Sequence, residues 1–332
     1  MIPRHRADDP DGWLSAVYHD DSVITQVDDG EPAGPDGTGV LSTSSASMPT
    51  VVAVMLRALD VQDGQKVLEI GTGTGYNAAL LAHRLDAHHV TSVEIDPTVA
   101  DAARHALHRA GYYGVTVVTA DGSEGYLAGA PYDRVLSTAS CKQVPYPWVD
   151  QTVPGGKVLT PWRNAYYDDG LLSLTVAPDG TATGRIVDRT WFMQLRDQRV
   201  PRCTVADLVG GDYHGEKSAT TIGPYELAGH RGAMLAISPR VPKCRYQYLP
   251  YDPDEGAGEL WFLDPWSGSW ASHFHFTPDC GDDEFSVRQH GPRRLRDEVR
   301  AAHTWWIGQG RPDEQDWIFT VKATEQDITL YR

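Results

Sequence analysis

The chain has 332 residues, a formal net charge of −16 and no apolar run long enough to cross a bilayer as a helix; this argues against a membrane-spanning helix and against a protein that tracks nucleic-acid phosphates, while a local basic patch within that total leaves an RNA-modifying enzyme open. The length favours two domains, and four scattered cysteines (Cys141, Cys203, Cys244 and Cys280) show no paired spacing, so free thiols are expected instead of a disulfide frame or a zinc site. Met1-Ile2-Pro3-Arg4-His5 leads into charged residues instead of an apolar signal core, and a cytoplasmic enzyme is expected.

Residues 1 to about 60 read as a polar N-terminal segment, with a loop over 28–37. An apolar run then reaches Glu69-Ile70 and meets Gly71-Thr72-Gly73-Thr74-Gly75-Tyr76, and a helical pattern covers 76–85. This is strand, tight turn, helix: a nucleotide-binding elbow in which glycine lets the backbone approach a ligand that a side chain would exclude. In a dinucleotide fingerprint the third glycine stands one residue later, where this chain has Tyr76. The feature that packs a helix over a pyrophosphate is therefore missing. The spacing suits S-adenosylmethionine, which carries no phosphate.

A second strand over 91–96 sets Glu94 about 20 residues beyond the glycines, where a carboxylate can accept both ribose hydroxyls. Asp96-Pro97 opens a helix over 97–110 as a capped start with proline in the first turn. A third strand over 115–120 runs into Asp121-Gly122, placed to accept from an adenine amino group. Each of these alone has a plain explanation as a loop or turn. All three in order, each at the carboxyl end of an apolar strand, point to a cofactor site. A helix over 145–153 separates strands at 134–137 and 156–160, and strands at 171–176 and 184–187 flank Pro178-Asp179-Gly180 as a hairpin. The pattern predicts a mostly parallel α/β sheet with an antiparallel edge.

The remainder, 199–332, has a different texture: with Trp191 just before it, it holds seven of the ten tryptophans, mixed with short strands at 259–263, 270–276, 316–322 and 327–331. One helix starts after Gly291-Pro292, with Leu295, Val299, Ala302 and Trp306 on one face. An α+β extension is expected here, with most tryptophans in its core. Trp266 and Trp270, set among Pro, Gly and Ser, read instead as a rim able to hold a peptide. His273 and His275 fall on one face of a strand, but with no partner cluster nearby no metal site is expected.

Residues from about 10 to 198 resemble the protein-L-isoaspartate O-methyltransferase family. The resemblance rests on the glycine elbow, on Ala130-Pro131-Tyr132-Asp133-Arg134-Val135, on Val153-Pro154-Gly155-Gly156-Lys157-Val158-Leu159-Thr160-Pro161, and on Ser47-Met48-Pro49-Thr50-Val51-Val52-Ala53. The last is similar to the family's Ser-x-Pro-x-Met-Val-Ala, with Val51 in place of the methionine. Phe192-Met193-Gln194-Leu195 resembles its Phe-Val-Pro-Leu, with Gln194 in place of the proline. The resemblance implies a Rossmann-like class I methyltransferase sheet over 1–198, with 1–60 as a lid, and an extension over 199–332. It implies Ser47 as the active-site serine. The cofactor set it implies is Ser44, Ser45, Gly71, Thr72, Gly73, Gly75, Glu94, Ile95, Asp121 and Gly122, with S-adenosylhomocysteine as product. The substrate set is Ser47, Pro49, Met193 and Gln194, joined by Trp266 and Trp270.

The continuation past the Phe-Val-Pro-Leu-like segment resembles the subgroup associated with ribosomally synthesised modified peptides such as lanthipeptides, graspetides and lasso peptides. That likeness implies methylation of an aspartate in a constrained peptide, followed by closure of the ester to an aspartimide, with the extension recognising the peptide. Repair of isoaspartyl proteins is the alternative, and a non-catalytic cofactor scaffold is a third reading. An aspartate carboxylate is ionised near neutral pH, so attack on a sulfonium methyl requires no general base. Positioning must supply the acceleration, and it can be worth about 7–11 kcal/mol. Ser47 suits the donation of a hydrogen bond to that carboxylate; without the resemblance it reads as a helix cap ahead of Pro49. A peptide or protein partner is expected and no nucleic acid or membrane, with a monomer slightly favoured.

Overall fold

The computed structural model describes residues 6–32, 34, 37–210, 213–252, 257–275 and 284–331. The chain forms two compact units. The first comprises Met1–Trp162, Asp169–Gln198 and Phe319–Asp327; the second comprises Arg163–Asp168, Arg199–Ile318 and Ile328–Arg332.

In the first unit, α1 (Pro10–Val17), a hairpin of β1 (Val23–Val27) and β2 (Ser42–Ala46), and α2 (Pro49–Leu59) precede the sheet. There follow β3 (Val67–Ile70), α3 (Tyr76–Leu85), β4 (Val90–Glu94), α4 (Pro97–Arg109), β5 (Thr116–Thr119), β6 (Tyr132–Ser137), α5 (Tyr146–Asp150), β7 (Thr152–Trp162), β8 (Gly170–Val176) and β9 (Ala182–Arg189). The later elements are α6 (Val205–Val209), β10 (Glu216–Thr220), α7 (Pro224–Ala228), α8 (Arg231–Arg240), β11 (Arg245–Asp252), β12 (Ala257–Asp264), β13 (Ser269–His275), β14 (Phe285–His290), α9 (Leu295–Gly308), β15 (Trp317–Val321) and β16 (Gln326–Leu330).

The large sheet has nine strands in the order β16-β15-β9-β8-β7-β6-β3-β4-β5. The run from β7 to β5 is parallel, while β8, β9 and β15 pair antiparallel. All residues of β3 and β4 are buried, as central strands with both faces covered require. Their apolar cluster takes Met55 and Leu59 from α2 and Leu81 and Leu85 from α3, with Val67, Leu136 and Leu159 from the strands. Each such side chain contributes about 1.5–3 kcal/mol on burial. The parallel order sends the carboxyl ends of β3, β4 and β6 to one edge of the sheet, and β5 follows β4 there.

The sequence-based helix over 145–153 is shorter in the structure. Pro154 has no amide for a helical bond, and Thr152 already pairs with Tyr132 as the first residue of β7. The N-terminal segment is more structured than a polar lead-in: it carries α1, the β1–β2 hairpin and α2. Of the expected loop, Asp28–Gly30 is a single 3-10 turn, and residues 33, 35 and 36 lie outside the described residues.

The second unit has a five-stranded antiparallel sheet, β10-β14-β13-β12-β11. On α9, Leu295, Val299, Ala302 and Trp306 are all buried, as their spacing requires, and α8 is buried continuously from Gly232 to Ser238. Tyr166 and Tyr167 are fully buried in this unit. The Tyr166 hydroxyl donates to the Leu227 carbonyl at 3.0 Å, and Tyr167 meets Arg231 and Glu314. Cys141, Cys203 and Cys244 are free thiols, and Cys280 lies outside the described residues. Among the described residues no helix is long and apolar enough to cross a membrane.

Candidate active site

The turn from β3 to α3 is built on left-handed backbone. Gly71 has φ +90° and Gly73 φ +53°. A Cβ on Gly71 would stand 2.7 Å from Thr138 Oγ1, and one on Gly73 would point at the Ser45 carbonyl, 3.4 Å away. The left-handed angles favour glycine at both positions, and the turn and β2 form the two sides of a cradle in which Gly73 faces Ser45. Gly75 packs against Ala103 and Leu107 of α4, so it seats the helices instead of facing a ligand.

Glu94 closes the far side of this cradle. Its Oε2 accepts the Gly73 N–H at 2.9 Å and its Oε1 accepts the Asp96 N–H at 3.1 Å. Two amides use two of roughly four acceptor positions, so the carboxylate keeps capacity for a diol. Ile95, next in the chain, exposes an apolar side chain (38%) beside it. Asp121 follows β5, exposed, and its Oδ1 accepts both the Ser123 amide and hydroxyl, at 2.9 and 2.8 Å. Gly122 is buried against Ile70, where a Cβ would clash at 2.6 Å. Ser44 is buried and takes a bond from Thr25 at 3.1 Å, and with Ser45 it lies against Gly73. Of the cofactor residues expected from the sequence, Gly73, Glu94, Ser44 and Ser45 are joined by direct contacts, Gly71 and Gly122 pack on Thr138 and Ile70, and Asp121 follows β5 with Ser123 as its partner.

Beneath the elbow is a buried polar network. The Glu69 carboxylate accepts from Asn77 Nδ2 at 2.6 Å and from the Ser92 hydroxyl, and Thr72 Oγ1 is 2.6 Å from Ser92 Oγ. With the Ser92 proton directed at the carboxylate, Thr72 is the donor. Burial pushes the Glu69 carboxyl up to about 7, against the pull of the Ser92 and Asn77 bonds and with help from the Glu94 charge. Thr72 is therefore a prop of the turn more than a ligand-facing group.

Ser47 lies in the two-residue link between β2 and α2. It is not the helix cap. Met48 is the N-cap, with no side-chain cap bond, and Pro49 takes the first helical position. Asp20 meets the helix start instead, accepting the Thr50 amide at 3.0 Å and the Thr50 hydroxyl at 2.6 Å. The segment carrying Met193 and Gln194 is zipped onto the loop after β6. Ser140 N–H donates to the Met193 carbonyl at 2.7 Å, Leu195 N–H to the Ser140 carbonyl at 2.9 Å, and the Ser140 hydroxyl to the Phe192 carbonyl at 3.0 Å. Thr138, two residues before Ser140, donates to the Gly71 carbonyl at 2.6 Å. Residues 192–195 thereby reach the same strand edge as the elbow.

Trp266 and Trp270 do not form a rim. Trp266 is half exposed in the β12–β13 turn, whereas Trp270 is 2% exposed. It packs with Trp261 and Leu263 and stacks on Tyr213 at 5.5 Å, because its place in β13 faces the inside of the second unit. His273 is likewise fully buried, edge-on to Phe285, and the side chain of His275 lies outside the described residues.

Three groups escaped the sequence reading: Gln26, Arg196 and, as more than a cap, Asp96. Gln26 Nε2 and Arg196 Nη2 both donate to Asp96 Oδ2, at 3.0 and 3.1 Å. Burial works to raise the Asp96 carboxyl, but bonds from Gln26, the Val99 amide, Arg196 and the Thr98 amide hold it below its ordinary value.

A nine-stranded mixed sheet whose five-stranded parallel half carries a glycine elbow, a carboxylate at the end of β4 and another after β5 defines a Rossmann-like methyltransferase fold. A family model for protein-L-isoaspartate(D-aspartate) O-methyltransferase matches residues 22–199, and the chain belongs to that family, whose members depend on S-adenosylmethionine. A protein-L-isoaspartate O-methyltransferase of Methanoculleus marisnigri is 48% identical over 115 residues, 35% of this chain and 51% of the relative. One of Hyperthermus butylicus is 40% identical over 158 residues, 45% of this chain and 65% of the relative. The chain thus spans between about half and two thirds of the length of these relatives. A solved protein-L-isoaspartate O-methyltransferase shares the fold with a TM-score of 0.53 at 20% identity, over 96% of this chain and 88% of that one.

Proposed function

We propose that the chain is an S-adenosylmethionine-dependent carboxyl O-methyltransferase acting on an aspartate-derived side chain in a peptide. The observation that carries this is the Gly71–Gly73 cradle closed by Glu94, with Ser44 and Ser45 laid against it. The residues fit the cofactor. Glu94 retains acceptor positions for the ribose hydroxyls, Ile95 offers apolar surface to the adenine, and Asp121, whose Oδ1 serves Ser123, has Oδ2 to accept from its amino group. The turn over Gly71–Gly73 admits the methionine portion. When bound, the cofactor supplies the electrophilic methyl.

This chain's own contribution is placement. Ser47 donates to one carboxylate oxygen of the substrate, orienting the other for attack without removing a proton. Its hydroxyl is suited to this because the helix start is served by Asp20. Residues 192–195 wall the pocket and exclude water. Met193 and Gln194 contact the peptide, with Pro49 at the margin.

Of the two substrate readings, the favoured one is an aspartate in a constrained ribosomal peptide, its ester closing to an aspartimide as the next backbone amide attacks. Its basis is the second unit, most of which lies beyond the family match and offers a separate surface for a peptide; a solved protein-L-isoaspartate O-methyltransferase spans that unit too, so the choice between the readings rests on a direct assay. The other reading, repair of isoaspartyl residues, is supported by the names of the relatives. A competition assay between a macrocyclic aspartyl peptide and an isoaspartyl peptide separates them. Preference for the macrocycle supports the first, and exclusive turnover of the isoaspartyl peptide overturns it in favour of repair.

A further inference from the structure

We infer that Arg196 is a positioning residue that clasps the β1–β2 hairpin shut over the cofactor cradle. The inference rests on the placement of the cofactor at the Gly71–Gly73 turn. Five side chains and one amide form a closed hydrogen-bonded ring. Thr43 Oγ1 donates to Gln26 Oε1 at 2.9 Å, and Gln26 Nε2 donates to Asp96 Oδ2 at 3.0 Å. Arg196 Nη2 donates to the same Asp96 oxygen at 3.1 Å, and its Nε reaches Asp29 Oδ1 at 3.2 Å. The Asp29 amide returns to Thr43 Oγ1 at 3.1 Å and completes the circuit.

The ring joins three parts of the first unit that are remote in sequence: the hairpin, the β4–α4 junction and the segment after residues 192–195. Each part abuts the site. Thr43 immediately precedes Ser44 and Ser45, which lie against Gly73, and the Asp96 amide donates to Glu94. Arg196 is the next residue after Leu195, whose amide is bonded to Ser140. One guanidinium therefore ties the lid, the ribose-side carboxylate and the pocket wall together.

Backbone strain supports the same conclusion. Asp28 and Asp29 have φ of +47° and +54°, a left-handed conformation that aspartate tolerates better than most side chains but that two successive non-glycine residues hold with the help of their surroundings. That help is visible. Asp28 accepts the Val40 and Leu41 amides, while Asp29 is held by Thr43 through its amide and by Arg196 through its carboxylate. Asp96 is largely buried, so its pairing with Arg196 is less screened than the exposed pair of Arg57 with Asp188.

The test uses the full-length chain and three variants: Arg196→Met, Arg196→Lys and, as a control in an exposed ion pair, Arg57→Met. Amide hydrogen exchange without ligand reads the clasp directly, whether or not the cofactor placement is right. Arg196→Met should speed exchange in β1 and β2 about tenfold, with β3, β4 and β6 unchanged. Arg196→Lys, which keeps the charge but not the fork, should fall between, and Arg57→Met should match the wild type. Titration with S-adenosylmethionine then reads the consequence: the Kd of Arg196→Met should rise about fivefold to thirtyfold. Unchanged exchange in β1 and β2 overturns the clasp. Faster exchange with an unchanged Kd overturns its role over the cofactor, and a wild type that does not bind S-adenosylmethionine overturns the cofactor placement itself.

Discussion

Replacing Glu94 by Gln probes the cradle with the least change in shape. In the wild type both carboxylate oxygens are engaged, Oε2 by the Gly73 amide at 2.9 Å and Oε1 by the Asp96 amide at 3.1 Å, in a residue only 9% exposed. A glutamine oxygen can replace one of these bonds, but the amide NH2 then faces the other backbone N–H. One donor is left without its acceptor, at a cost of about 1–3 kcal/mol to the folded state. The ribose diol loses a charged acceptor as well, a further loss of about 1–3 kcal/mol that appears as weaker binding. Calorimetric titration with S-adenosylmethionine and S-adenosylhomocysteine should show Kd raised by about fivefold to 150-fold for both ligands. The melting temperature should fall in the same variant. A folded Glu94→Gln chain with wild-type affinity for both would refute the placement of the ribose at Glu94.

Ser47→Ala should slow methyl transfer by an amount equivalent to about 2–4 kcal/mol in barrier while leaving cofactor affinity unchanged, and wild-type turnover would remove Ser47 from the reaction. The Glu69 carboxyl, pushed up to about 7 by burial, contributes stability that is complete below its unfolded value near 4.5 and is lost as pH rises through 7. Urea unfolding from pH 5 to 8 should therefore show the wild type losing about 2–3 kcal/mol relative to Glu69→Gln, and parallel profiles would contradict that assignment. Trp270→Ala should cost about 3–5 kcal/mol in the second unit. Trp266→Ala should leave stability nearly unchanged and act, if anywhere, on peptide affinity; the reverse ranking in thermal melts would show the burial argument to be wrong.

The parallel half of the large sheet was legible because its strands are continuous apolar runs punctuated by glycine, aspartate and proline. Glu94, Asp121 and the Asp96 cap could be placed from their positions at strand ends alone. The β1–β2 hairpin was not legible in the same way. Ser42-Thr43-Ser44-Ser45-Ala46 has no apolar alternation, and it is extended because it pairs with β1 and lies against Gly73. The clasp was hidden for a related reason: Arg196 is 100 positions from Asp96, and no local pattern announces a contact of that kind. Ser47 was legible only by resemblance, since Asp20, which frees it from capping, lies 30 positions before its partner Thr50. Trp266 and Trp270 share a Gly- and Ser-rich neighbourhood, yet one sits in a turn and the other begins an inward-facing strand, a difference that composition does not carry.

The central claim, transfer of a methyl group to a carboxylate oxygen, is tested most directly with S-adenosylmethionine labelled in its methyl group. Macrocyclic aspartyl, linear aspartyl and isoaspartyl peptides are each incubated with the full-length chain. The expected result is label in the macrocycle as a base-labile ester, released as methanol while the peptide loses the mass of one water. Stable label on nitrogen or carbon, or no label in any of the three peptides with a folded chain that binds the cofactor, would contradict it.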